Sequence, residues 1–459
     1  MKKKSIPPGV PSLFASGGFI FFAGVMALIG LFELFRFVDW GQGVLRSFML
    51  VPLGVLIFWL CRAGSRLTLS GEVAKRARFA ITTVAVFAAC FCLMTVTESI
   101  RRTTAGGEIL LDQGQNSYRA LRLLEQGINP YGRQTMLDPV EYASVQNRIR
   151  QSSPCLVSPV GDYRAELFHY WQTLDVKRAT EKVFLVIKND PACEKWTIPA
   201  QSLGYKYGPV LLASYWPFVK IWDKAGIYVN HLIVLSLFVS CLLIFSYRRY
   251  DRKAGIFLLP VIMLLVPSPV RQNVLYLSAS DLLPTASAVL AALFFLEKRF
   301  TAGAIFLALS IGAKPLPGLL YLPLMSGARP RDWVLLAGIG LVFYAPVFMW
   351  DFQGAMNNLV LFNILRSTDS TALLHYLPSA LQTLWPLVAL GGIIALAVRG
   401  HNRKWLPGAT FEYLIGAHLL LFASGKIFHN NYLVWILPLA GLALAESHSR
   451  VIVSNDKRK

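Results

Sequence analysis

Apolar stretches of near-membrane length recur along this chain, separated by short basic links and interrupted once by a long polar segment. They occupy 14–34, 47–61, 80–97, 227–246, 254–268, 281–297, 302–326, 332–350, 375–398, 411–426 and 432–446. Several approach the roughly 20 residues of a bilayer-crossing helix, which predicts an all-α polytopic membrane protein. They are continuous rather than alternating, which argues against a membrane β-barrel. Run 207–221 is short, aromatic and interrupted by Pro217, so it reads as a re-entrant or interfacial helix. Run 302–326 turns at Ala313-Lys314-Pro315 and reads as two short helices or a broken pair. About twelve crossings are expected in one membrane domain. Within it, 14–61 forms an N-terminal hairpin, 98–206 one large outer loop, and 207–447 the remaining bundle. The first run is long for a leader and reads as a retained span.

Charge orients these spans. The net charge is +20, yet the segment from Glu98 to Lys206 carries fourteen Lys/Arg against twelve Asp/Glu. Nearly all the excess therefore lies in short links and at the ends, as in KRAR at 75–78, RRYDRK at 248–253, GARPRD at 327–332 and RGHNRK at 399–404. Positive links face the cytoplasm. Both termini are then cytoplasmic, in a plasma (inner) membrane, and 98–206 faces outward. No basic domain stands apart from the apolar runs, so nucleic acid is not an expected partner. With 55% hydrophobic and 15% charged residues, the chain cannot solvate its surface as a water-soluble protein.

Of six cysteines, Cys61, Cys90, Cys92 and Cys241 lie in apolar runs and serve as small packing residues. Cys155 and Cys193 lie in the polar segment. In an oxidising compartment they are expected to pair, stabilising the loop by about 4 kcal/mol on the chain-entropy model.

The polar segment opens with 112–131, DQGQNSYRALRLLEQGINPY. Tyr118, Leu121, Leu124 and Ile128 recur at helical spacing and predict one apolar stripe on a short amphipathic helix lying at the outer leaflet. Gly127 fits its C-terminal stop and Asn129-Pro130 a turn. Asp112 stands just beyond the third span. It is either a carboxylate favouring the helix dipole or a general base.

Several short segments follow in a distinctive order: Asp112, Tyr118-Arg-Ala, Gly127-x-Asn-Pro-Tyr131, Tyr207-Gly-Pro, Arg271-Gln-Asn, Ala313-Lys-Pro and His429-Asn-Asn-Tyr-Leu-Val-Trp. This order resembles the GT-C superfamily of membrane glycosyltransferases. The nearest branch is the polyprenyl-phosphate-mannose-dependent α-mannosyltransferases (glycosyltransferase family 87). Two positions depart from that branch: Gly208 replaces a proline and Arg271 a glycine. The resemblance implies a GT-C bundle of about twelve helices with amphipathic juxtamembrane helices on the outer loop. It implies inverting transfer of mannose or a related sugar from a polyprenyl-phosphate donor to a lipid or glycan acceptor. It also implies a substrate pocket drawn from Tyr118, Asn129, Tyr131, Tyr207, Gln272, Asn273, Asn430 and Tyr432.

Such a reaction asks for a base on the acceptor hydroxyl, and Asp112 is the candidate, with His429 a possible assistant. It asks for cations on the departing phosphate. Arg366, Lys314 and Lys426 are candidates, because ionisable residues at membrane depth are costly to keep. Asp281 and Glu98 are the rival carboxylates to Asp112, though Asp281, following Ser278-Ala-Ser280, is expected to cap a helix. Glu98 is expected to pair with Arg101 or Arg102. No metal-ligand spacing, P-loop or dinucleotide glycine pattern is present, so neither metal nor other cofactor is expected. A lipid or polysaccharide transporter is the rival class, and would want paired broken helices.

Overall fold

The structure, a computed structural model, describes residues 17–37, 48–64, 71–106, 110, 112–131, 204–250, 252, 255–361, 372–426 and 428–456. Arg366, Cys155 and Cys193 lie outside these residues. Every regular element among the described residues is helical. In chain order the helices are α1 (Gly17–Phe37), α2 (Leu50–Gly64), α3 (Gly71–Thr104), α4 (Asp112–Glu125), α5 (Pro209–Trp222), α6 (Ala225–Arg249) and α7 (Leu259–Leu265). Then come α8 (Leu282–Leu296), α9 (Phe300–Ala313), α10 (Pro315–Leu319), α11 (Pro330–Trp350), α12 (Ser379–Asn402), α13 (Pro407–Ser424) and α14 (Leu437–Asp456). Short 3₁₀ and π turns fill several joints.

Among the described residues, four helices are long and apolar enough to cross a membrane: Ala74–Thr104, Ala225–Arg249, Pro330–Trp350 and Ala380–Asn402. None of the apolar window of Pro330–Trp350 is buried by protein, and only 6% of that of Ala380–Asn402. Met349 is 85% exposed and Val342 70%. A contiguous apolar surface of this kind is what a bilayer covers. A fifth span arises if Ile256–Leu265 and Pro269–Tyr276, bent by 50° at their break, count as one. The apolar helices Ile20–Phe35, Leu50–Gly64, Leu282–Leu296 and Phe300–Ala313 are shorter than a full crossing. Prolines cut the apolar runs here: Pro315 ends the helix before it, Pro267 lies in the break after Leu265, and Pro269 opens the helix that follows.

The chain forms two compact units, each assembled from separated segments. One takes the described residues of Met1–Met94, Ser236–Arg271 and Ser370–Lys459. Within it α14 packs on α2, α7 and α13, α12 packs on α13, and α1 on α2. Glu33, near the C-terminal end of α1, accepts a hydrogen bond from the Ser268 N–H at 2.5 Å. That donor lies between two prolines, where no helix carbonyl serves it.

The other unit takes the described residues of Thr95–Leu235 and Gln272–Asp369. Helices α8 and α9 form an antiparallel pair, α11 packs on α9, and α5 lies against α4, α9 and α11. The start of α11 is fixed by Asp332. Its carboxylate accepts from the Arg329 N–H at 3.0 Å and from the Thr301 hydroxyl on α9 at 2.7 Å. Proline at the first position of α5, α10 and α11 suits helix starts, where no intrahelical N–H partner is lost.

Candidate functional site

The second unit holds four of the polar segments that sequence reading singled out, 112–131, 207–209, 272–273 and 313–315. Asp112 is the first residue of α4. Gln113, next to it, uses its side-chain oxygen to accept from both the Ser280 N–H at 2.7 Å and the Ser280 hydroxyl at 2.8 Å. Close approach here depends on Gly114, since a Cβ there would lie 2.1 Å from the Ser278 hydroxyl oxygen. Ser278 itself sits at φ +60, the left-handed region that turns the chain into α8.

Asp281 corrects an expectation. It stands at the N-cap of α8, yet its side chain makes no cap hydrogen bond. Its carboxylate, wholly buried, accepts from the Lys314 ammonium at 2.5 Å, and the lysine side chain is only 16% exposed. The reason is competition: a charged partner in a dry site is worth more than a backbone N–H. Lys314 is extended, at φ −150 and ψ 98, in the break between α9 and α10. The following proline disfavours helical geometry for it.

Lys314 also lies 5.9 Å from the centre of the Tyr207 ring. The Tyr207 carbonyl accepts from the Tyr131 hydroxyl at 3.0 Å, and the Gly208 N–H donates to the Ala313 carbonyl at 3.0 Å. Tyr131 and Tyr205 meet edge to face at 5.5 Å, as do Tyr205 and Tyr207. Asn129 closes its turn by accepting from the Tyr131 N–H at 3.0 Å. Asn358 donates to the Tyr131 carbonyl at 2.7 Å. Residues 112–131, 204–208, 278–281 and 313–315 thus form one hydrogen-bonded cluster. Burial, aided by the neighbouring tyrosines, raises the Tyr131 hydroxyl well above its ordinary value. Burial raises Tyr205 too, against the lowering contact of Ser117. Both phenols stay protonated at physiological pH.

Helix α4 forms as expected over Asp112–Glu125, but the face it buries is not the expected apolar stripe. Leu121 is buried, but Tyr118 and Leu124 are only half-buried, and the buried face includes Gly114, Asn116, Ser117 and Ala120. The protein, rather than lipid, covers a polar face. Tyr118, expected in the pocket, donates to Asp223 at 2.6 Å, and the Arg122 Nε donates to the Tyr118 oxygen at 3.2 Å. Arg122 also pairs with Asp223 and Glu125. Burial would raise the Asp223 pKa, but hydrogen bonds from Tyr118, the Lys224 N–H and Arg122 outweigh it and lower the group below its ordinary value.

Asn116 is the sharpest anomaly. It is fully buried, and neither its Nδ2 nor its Oδ1 has a protein hydrogen-bond partner. No other described side chain has two such atoms. Each unmet buried polar group costs about 1–3 kcal/mol.

Gln272 and Asn273 lie in the π-helical turn Pro269–Tyr276, half-buried. Their carbonyls accept from the Leu277 and Ala279 N–H groups and so shape the approach to Ser278. Glu98 pairs with both Arg101 and Arg102. His429, Asn430, Tyr432 and Lys426 belong to the first unit. There the His429 ring meets Tyr432 at 6.0 Å, Tyr432 stacks on Phe422 at 5.4 Å, and Asn430 donates to the Phe35 carbonyl at 3.1 Å. Among the described residues no group of three His, Cys, Asp or Glu is placed to hold a metal ion.

No family model, curated protein or solved structure matches the chain.

Sequence reasoning passes over Gln113, Asn116, Ser117, Asn358, Glu33 and Asp223. One signal was available for the first three. They recur at helical spacing and make a polar stripe beside the apolar one.

Proposed function

We propose that this chain is a membrane glycosyltransferase. It would move mannose or a related sugar, with inversion, from a polyprenyl-phosphate donor to a lipid or glycan acceptor on the outer face of the inner membrane. In this reading the shorter apolar helices also span, giving about twelve crossings in a GT-C arrangement with both termini cytoplasmic. What supports the reading is the convergence of 112–131, 204–208, 278–281 and 313–315 on one buried polar cluster. These segments are far apart in sequence, and three of them carry the resemblance.

Asp112 would take the proton from the acceptor hydroxyl as that oxygen attacks the anomeric carbon. The sugar–phosphate bond breaks and the lipid phosphate leaves with the electron pair. Lys314 and Arg366 would stabilise it, Lys314 while sharing Asp281. No metal or cofactor takes part.

The test is turnover by purified protein with a panel of polyprenyl-phosphate sugars, read as release of free lipid phosphate. Asp112→Asn should lower the rate by about 10²–10⁴ with the protein still folded. Undiminished release by that variant refutes the assignment.

One observation favours a lipid transporter. A second broken apolar segment, at Pro267 to Pro269, joins the one at Lys314. Movement of labelled lipid across proteoliposomes without release of lipid phosphate would select that reading.

A further inference from the structure

We propose that Asn116 reads the hydroxyl groups of the transferred sugar, an inference that rests on the glycosyltransferase reading above. Its amide is fully buried with both polar atoms unmet by protein. A carboxamide offers one donor end and one acceptor end, the complement of two neighbouring hydroxyls on a sugar ring. Asn116 lies one helical turn from Asp112 along α4, so the two residues share a register position on that helix.

Its neighbours are already engaged. Gln113 holds Ser280, and Ser117 bonds to the Gln113 carbonyl at 2.9 Å and meets the Tyr205 hydroxyl at 3.3 Å. Those contacts fix α4 on both sides of Asn116. An amide that only packed the core would gain by becoming apolar, because replacing an unpaired polar group with one of like shape is neutral or stabilising. A sugar-reading amide instead pairs when substrate is bound.

The experiment uses full-length protein in detergent, binding polyprenyl-phosphate mannose and, separately, sugar-free polyprenyl phosphate. Wild type should prefer the sugar-bearing lipid by about tenfold or more, the worth of a typical hydrogen-bonded contact. Asn116→Leu should bind the two lipids equally, keep wild-type affinity for the sugar-free one, and melt without ligand at or above wild type. If Leu is not tolerated, Asn116→Ala carries the binding comparison. A variant that keeps the tenfold preference overturns the proposal, and the glycosyltransferase reading survives it. The amide would then be served by buried water, with a lower melting point in Asn116→Leu as its signature. A wild type with no preference for the sugar-bearing lipid also overturns the proposal, while the glycosyltransferase reading stands or falls on lipid-phosphate release.

Discussion

Lys314 donates to Asp281 across 2.5 Å, and the carboxylate that receives it has no exposed surface. The pair joins the break between α9 and α10 to the start of α8. Removing the carboxylate takes a charged partner from an ammonium that is only 16% exposed. Asp281→Asn should therefore destabilise the protein by about 3–5 kcal/mol, whereas Asp281→Leu with Lys314→Met should recover most of the loss. Denaturant unfolding of the two proteins in the same detergent checks this. A single variant as stable as the double would remove the pair from the account.

Gly208 has an ordinary backbone angle, so its need is spatial. A Cβ would lie 2.0 Å from the Gly312 carbonyl oxygen. Gly208→Ala should cost about 3 kcal/mol or more and loosen the Gly208 to Ala313 hydrogen bond. Gly338, with nothing within 4 Å of a built Cβ, should accept alanine without loss. Melting points of the two variants, side by side, decide the matter.

Glu33 serves the Ser268 N–H in the joint after α7. Glu33→Ala should cost about 1–3 kcal/mol by stranding that donor. Glu33→Gln, which keeps an acceptor oxygen, should cost less than half as much. Amide hydrogen exchange at Ser268 should quicken in the alanine variant alone.

The Asp223 clamp should respond to acid. Its folded pKa is depressed, so its stabilisation is present above the ordinary carboxylate value and is lost as pH falls through the depressed one. The side chain is 57% exposed, so solvent screening keeps the effect to about 0.5 kcal/mol. The stability gap between wild type and Asp223→Asn should be open at neutral pH and closed in strong acid. A gap independent of pH would assign the loss to packing.

Much of the helical character was legible in the sequence because apolar runs and prolines act locally. The break at Lys314 is an example, since Pro315 announces it. The Asp281 to Lys314 pair was not legible: serine and aspartate before an apolar run spell a cap, and only the folded chain brings a lysine 33 positions away within reach. Tyr118 misled for a similar reason. Its spacing fits an apolar stripe, but its hydroxyl found Asp223, 105 positions on. The buried polar face of α4 was visible as periodicity, though not as burial, because periodicity does not say which face meets protein.

Tyr205 donates its N–H to the Pro130 carbonyl at 3.1 Å, and its ring rests on Tyr131. The chain thus leaves the cluster and re-enters it at one stapled root. The entropy of joining those two points rises only with the logarithm of the intervening length. Insertions or deletions between them would leave the root nearly unchanged in energy.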